Sequence, residues 1–313
     1  VRWLVERGHT VFMVSWKNPD AGDRDLGMDD YLRLGIDAAV AAVHGIVPNA
    51  GIHTVGYCLG GTLLTIALAA MARREETRVR SMTLLAAQTD FTDAGELTLF
   101  IDESQVTFLE DIMWHRGYLD TRQMAGAFQL LRSNDLIWSR LVHDYLMGER
   151  TKMTDLMAWN ADATRMPYRM HSEYLRRLFL NDDLAEGRYT VEGQAVAVGD
   201  IRVPIFAVGT ERDHVAPWQS VYKIHLQTDA EITFLLTEGG HNAGIVSPPG
   251  GRKRHYRVAT RVQGAPFLDP QTWMDRADGH EGSWWTAWGD WLAARSGPMG
   301  PLPVLGASLG PAP

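Results

Sequence analysis

Residues 52–62, Ile-His-Thr-Val-Gly-Tyr-Cys-Leu-Gly-Gly-Thr, hold the only cysteine of the 313-residue chain. Gly56-Tyr57-Cys58-Leu59-Gly60 has the form G-x-C-x-G, a nucleophile-elbow pattern in which sulfur replaces the usual serine oxygen. The chemistry that suits it is acyl transfer through a covalent thioester. An elbow sets its nucleophile on a strained turn from strand to helix, and the flanks fit. A short apolar run precedes Cys58, and Leu59 to Arg74 is a run of good helix formers. The residues two before and two after the nucleophile are expected to pass close together. Gly56 and Gly60 are therefore read as the elbow glycines, where a side chain would collide. The turn places Cys58 at a helix N-terminus, whose partial positive charge favours a thiolate. It also offers the backbone N–H of Leu59 as an oxyanion donor. A cysteine alone is as easily a small buried hydrophobe; the glycines and the strand–helix setting turn the reading to a nucleophile.

Such a nucleophile needs an acid and then a histidine, in that order, in loops after later strands. Asp213 lies beyond an apolar run ending at Gly209, in Thr-Glu-Arg-Asp-His-Val-Ala-Pro-Trp (210–218). His241 lies beyond the next run, in Glu-Gly-Gly-His-Asn-Ala-Gly (238–244), where the glycines allow a tight turn and an accessible ring. Glu211, Asp90 and Asp93 compete with Asp213 but lack its position. His214 is read as a structural residue or a support behind the reacting groups.

The elements that must hold these residues follow from periodicity. Val1 to Gly8 reads as the end of an amphipathic helix closed by Gly8, and the chain is expected to begin inside an element. The apolar run Thr10–Trp16 suggests a strand covered on both faces, and Asp29–Val47 a helix stopped by Pro-Asn-Ala-Gly. The elbow strand and helix come next, then a strand pattern over Val79–Ala87. This alternation predicts a parallel sheet with helices on both faces.

The pattern breaks over 90–199, where aromatics and methionines recur at helical spacing, among them Phe100, Phe108, Met113, Trp114, Tyr118, Phe128, Trp138, Tyr145, Met153 and Met157. That interval is expected to be a largely helical insertion with its own core, placed as a cap over the cysteine. Strand patterns resume at Val203–Gly209 and Glu231–Leu236. A last helix over 283–295 sets Trp284, Trp288 and Trp291 on one face, against the sheet. The expected division is a discontinuous core of 1–89 and 200–297, the insertion 90–199, and a Gly/Pro/Ala-rich flexible tail 298–313.

Composition is that of an ordinary globular chain, 45% hydrophobic and 22% charged. A net charge of -8 argues against nucleic acid as a partner. One cysteine makes no internal disulfide, and no apolar run reaches a membrane span or forms a signal peptide. No metal-ligand cluster stands out.

The motifs together resemble those of polyhydroxyalkanoate synthases. Gly-Tyr-Cys-Leu-Gly-Gly-Thr, Arg-Asp-His-Val-Ala-Pro-Trp and Gly-His-Asn-Ala-Gly carry the likeness. Val-Ser-Trp-Lys-Asn-Pro-Asp (14–20), Asp-Phe-Thr-Asp-Ala-Gly (90–95), Asn-Asp-Leu-Ile-Trp (134–138), Trp-Asn-Ala-Asp-Ala-Thr (159–164) and Gly-Ser-Trp-Trp (282–285) extend it. Leucine after the cysteine is similar to the class I enzymes, which use short 3-hydroxyacyl chains. The resemblance implies an α/β-hydrolase fold and a catalytic Cys58, Asp213 and His241. It implies a 3-hydroxyacyl-coenzyme A substrate, with coenzyme A as carrier and no cofactor or metal. A polyester granule surface and a homodimer are the implied partners, and a granule-associated cytoplasmic location follows. It also implies a second oxyanion donor from a loop that would precede Val1. Arg252, Lys253 and Arg254 are read as a solvated basic run rather than a phosphate site. A dienelactone-hydrolase-like cysteine enzyme shares the fold and the residue set but typically has a small cap. A non-catalytic granule-surface protein would have no need of the intact set.

Overall fold

The computed structural model describes residues 1–120, 147–148, 154–162, 164–251 and 253–303. It divides into two compact units. The first comprises Val1–Val14, Asp29–Thr98 and Arg177 onward; the second comprises Ser15–Met28 and Leu99–Arg176. This differs from the expected boundaries at 90 and 199. Phe91 packs on Phe179 at 4.8 Å between ring centroids, and its N–H donates to Asp182 at 3.0 Å. Arg73 reaches the carbonyls of Gln194 and Ala195, so the segment from 177 belongs with the sheet. In the second unit Asn18 bonds Arg165, and the Tyr168 N–H donates to the Gly117 carbonyl at 2.7 Å. The expected Phe128, Trp138, Tyr145, Met153, the 134–138 motif and most of the tail lie outside the described residues.

The first unit is built on a six-stranded sheet. Its strands are β1 (Ile52–Tyr57), β2 (Val79–Leu85), β5 (Ile205–Thr210), β6 (Ile232–Thr237), β7 (His255–Arg261) and β8 (Asp278–Glu281), side by side in that order. A separate hairpin pairs β3 (Thr190–Val191) with β4 (Gln194–Ala195). β1, β2, β5 and β6 run parallel, and β7 and β8 are antiparallel additions. The parallel strands are the apolar runs of the sequence, and β5 and β6 are buried along their whole length.

Adjacent residues of β2 show how both faces are covered. Met82 meets Thr65 of the elbow helix Leu59–Arg73, and Thr83 accepts a hydrogen bond from Trp288 Nε1 at 3.1 Å. Neighbours along a strand point to opposite faces, so the elbow helix lies on one side and the final helix Trp285–Ala293 on the other. Trp284, Trp288 and Trp291 are buried together against Phe206, Val208 and Leu235, as the spacing predicts. The N-terminal turn Arg2–Val5 brings Trp3 onto the same cluster, and Gly8 ends it at φ +86°.

Thr10–Trp16 is not a strand. It has no ladder partner among the described residues, and Phe12, Met13, Val14 and Trp16 are exposed. Apolar composition gives a run the capacity to be a strand, but hydrogen bonds to a neighbour make it one. The helical reading of Asp29–Val47 holds over Met28–Ile46, with a wider π-type stretch at Tyr31–Asp37.

At the elbow, Cys58 N–H donates to the Leu85 carbonyl at 2.9 Å, and Gly61 N–H donates to the Cys58 carbonyl at 2.8 Å. Cys58 sits at φ 52°, ψ −127°, a conformation that side chains rarely adopt. The glycine assignment is corrected in part. A Cβ on Gly56 would lie 2.5 Å from the Gly61 Cα, and one on Gly61 would lie 2.4 Å from the Ala87 Cβ. A Cβ on Gly60 would meet nothing within 4 Å. The reason is helical phase: Gly60 lies on the outer side of the first turn, and Gly61 faces the strand. Gly61→Ala should therefore destabilise the protein by about 1–3 kcal/mol. Gly60→Ala should be neutral, or stabilising by up to about 1 kcal/mol, as alanine is the better helix former. Urea unfolding of the two variants checks this, and equal losses would contradict it.

Candidate active site

The acid, the base and the nucleophile come from three parallel strands of one sheet. Cys58 follows β1, Asp213 follows β5 and His241 follows β6. Parallel strands bring the residues after their C-terminal ends to the same edge of the sheet, where open α/β sheets carry their sites.

Asp213 is fixed on every side. Its Oδ1 accepts the N–H groups of Val215 at 2.9 Å and Ala216 at 2.8 Å. Its Oδ2 accepts Thr210 Oγ1 at 3.1 Å and faces His241 Nδ1 at 2.8 Å. The carboxylate side chain has no exposed surface, and the His241 side chain is 17% exposed. With Nδ1 held by Asp213, Nε2 is the nitrogen left for the Cys58 thiol. Burial lowers the proton affinity of the imidazole, but hydrogen bonds to Asp213 and to Cys58, with their charges, outweigh it. The balance raises the His241 pKa to about 10. Leu59 is the first residue of its helix, so its N–H has no acceptor within the helix.

The loop that carries His241 is tightly built. Gly239 takes φ +113°, and a Cβ there would lie 2.8 Å from the Gly244 Cα. The Gly239 carbonyl accepts the Arg212 N–H at 2.9 Å, which ties this loop to the one bearing Asp213. Trp284 Nε1 donates to the Gly244 carbonyl and Trp285 Nε1 to the Ile245 carbonyl, each at 2.9 Å, and Ser283 Oγ donates to the Ser247 carbonyl. The Gly-Ser-Trp-Trp motif thus anchors the base loop.

The remaining sequence candidates fall elsewhere. His214 turns its ring to Glu96, with Nδ1 3.5 Å from Oε1, and its carbonyl accepts the Glu96 N–H. Glu211 pairs with His255 at 3.0 Å, and Asp90 and Asp93 hold Lys223 at 3.1 and 2.6 Å. Arg254 stands 3.5 Å from Glu238, and Arg252 lies outside the described residues. Among the described residues there is no cluster of metal-ligating side chains, and no helix is long and apolar enough to cross a membrane. Sequence reasoning did not single out Thr210, which steadies Asp213, or Tyr57, which contacts His241, or Asn242, which contacts Tyr57. Only their adjacency to motif residues marks them.

The chain is similar to known proteins over most of its length. The chain is 40% identical over its full length to a poly(3-hydroxyalkanoate) polymerase of Methylorubrum extorquens, covering 52% of that protein. It is 40% identical over 93% of its length to a poly(3-hydroxyalkanoate) polymerase subunit of Rhizobium meliloti, covering 47%. The subunit from Cupriavidus necator is 37% identical over 95% of this chain, with 51% of that protein covered. The chain therefore spans about half the length of these relatives. The family profile described as alpha/beta hydrolase fold matches residues 3–248, which include all of the elbow, Asp213 and His241. The chain belongs to the α/β-hydrolase fold family.

Proposed function

We propose that this chain carries the acyl-transfer centre of a polyester synthase. It joins 3-hydroxyacyl units, of the short 3-hydroxybutyryl kind, from their coenzyme A thioesters and releases coenzyme A. The observation that supports this best is an elbow cysteine beside a histidine held by a buried carboxylate, in a chain 40% identical to a poly(3-hydroxyalkanoate) polymerase. Cys58, Asp213 and His241 are the catalytic set. A granule surface and a second copy of the chain belong to the reading as partners, and it calls for no cofactor.

The proposed reaction has two acyl transfers. Cys58 and His241 share one proton, held mainly on the imidazole whose pKa is raised, and the sulfur attacks the thioester carbonyl. The N–H of Leu59 faces the charge that develops on the carbonyl oxygen. The bond from carbon to the coenzyme A sulfur breaks, and that sulfur leaves with the proton from His241. The acyl group now sits on Cys58 as a thioester. A 3-hydroxyl then gives its proton to His241 and attacks this thioester. An ester bond forms, the carbon–sulfur bond to Cys58 breaks, and the thiol recovers its proton. Asp213 has both oxygens engaged and no exposed surface, which supports a role in orienting His241 rather than meeting the hydroxyl directly.

Incubation of the protein with 3-hydroxybutyryl-coenzyme A should give polymer and free coenzyme A. Free 3-hydroxy acid without polymer would make it a hydrolase instead. Cys58→Ala should lower thioester turnover at least about 10³-fold, as no other thiol is present. Turnover retained by that variant would remove the covalent step.

The folded-state pKa of His241 is raised from 6.5 to about 10, so its protonated form stabilises the fold. That contribution is fully present below about pH 6.5 and is lost as pH rises through about 10. Asp213→Asn removes the partner carboxylate. The NMR titration midpoint of His241 should then fall by at least about one unit. The stability gap between wild type and variant should narrow between pH 6.5 and 10. An unmoved midpoint would show that Asp213 does not govern the ring.

A further inference from the structure

Hydrogen bonds to Asp213 at Nδ1 and to Cys58 hold His241 at two points of its ring. Two points fix an axis but leave the ring plane free to tilt about it, and a tilt would misalign Nε2 with the sulfur. A further contact therefore has to define the ring plane, and Tyr57 supplies it. Its ring lies 5.2 Å from the His241 ring, centroid to centroid, at an interplanar angle of 33°. Its hydroxyl donates to the backbone carbonyl of His241 at 3.1 Å and also contacts Oδ1 of Asn242. Tyr57 thus touches the imidazole, the main chain of the same residue and the side chain of the next.

Tyr57 is also well placed to resist movement. It is the last residue of β1, paired with Leu85 of β2 in the parallel ladder. Its position comes from the sheet, whereas His241 rides on a loop. Burial, and then the negative charges of Cys58 and Asp213, push the phenol pKa well above its ordinary value of 10, so the hydroxyl remains a donor. A phenol has one proton and two acceptors beside it here. Turning the Asn242 amide about lets Nδ2 donate to the phenol oxygen while the phenol donates to the His241 carbonyl. Each contact then has one donor and one acceptor.

We infer that Tyr57, clamped by Asn242, is a positioning residue that sets the plane of the His241 ring and aims Nε2 at Cys58. The nucleophile and the alignment of its base are then carried by adjacent residues of one strand end. A shift of β1 moves both together. The inference rests on the proposed role of His241, and its test separates the two.

Tyr57→Phe keeps the ring and removes the hydroxyl; Asn242→Ala removes the clamp. Thermal unfolding checks that each variant is folded. Two readouts follow. The first is turnover of 3-hydroxybutyryl-coenzyme A, where kcat should fall about tenfold in each variant with KM within about twofold. The second is the pH profile of Cys58 alkylation by iodoacetamide, which reads the Cys58–His241 pair without any acyl chemistry. Its midpoint should shift in both variants, and the double variant should be no worse than the single ones, since they remove one clamp. Folded variants with an unchanged alkylation profile and unchanged kcat overturn the inference and leave the proposed function standing. A shifted profile in a protein that never turns over the thioester supports the positioning role and overturns the proposed function. Additive losses in the double variant also overturn the clamp.

Discussion

Cys58 is held at φ 52°, ψ −127°, a backbone conformation costing a residue with a side chain on the order of 1–3 kcal/mol. The structure around it makes that conformation tolerable. Its N–H is bonded to Leu85 in β2, and its carbonyl receives Gly61 and Thr62 from the first helical turn. The turn can close this tightly only because Gly56 and Gly61 bring their backbones nearly into contact. Ala87, just beyond β2, fills the space that a side chain on Gly61 would need. Strand, helix and neighbouring strand are thus locked at one point.

The base is held by a different principle. No strained backbone fixes His241; a set of hydrogen bonds does. Asp213 is immobilised by Thr210, Val215 and Ala216 before it meets the imidazole. The loop around His241 is bonded to the loop of Asp213 and to Trp284 and Trp285 at the head of the final helix. Those tryptophans belong to the apolar layer on the sheet, where the Trp291 ring packs tilted against Phe206 at 5.3 Å between centroids. Packing energy in the core is in this way spent on loop geometry at the site. The low exposure of the pair strengthens the charge coupling that raises the proton affinity of His241.

Much of this was legible in the sequence because it depends on local pattern and order. G-x-C-x-G between an apolar run and helix formers defines an elbow, and an acid and a histidine after later strands complete the set. The tryptophan face of the last helix was readable from its spacing. What stayed hidden depends on contacts between distant residues. Whether Gly60 or Gly61 faces the strand is a matter of helical phase at one turn, and the motif favours the wrong one. Thr10–Trp16 has strand composition but no partner ladder among the described residues. β7 and β8 are amphipathic or polar and carry no apolar run, since such strands are specified by the neighbours they pair with more than by their own residues. The boundaries near 90 and 199 shifted because Phe91 and Asp182 join residues far apart in the chain. Tyr57 and Asn242 showed no chemistry of their own until the fold brought them together.

The central claim is that Cys58 carries the acyl group. Intact-protein and peptide mass spectrometry after brief mixing with 3-hydroxybutyryl-coenzyme A tests it directly. The account predicts one or more 3-hydroxybutyryl units on the peptide containing Cys58, removable by hydroxylamine as a thioester should be. Coenzyme A release with no adduct on that peptide, or an adduct on another residue, would contradict it.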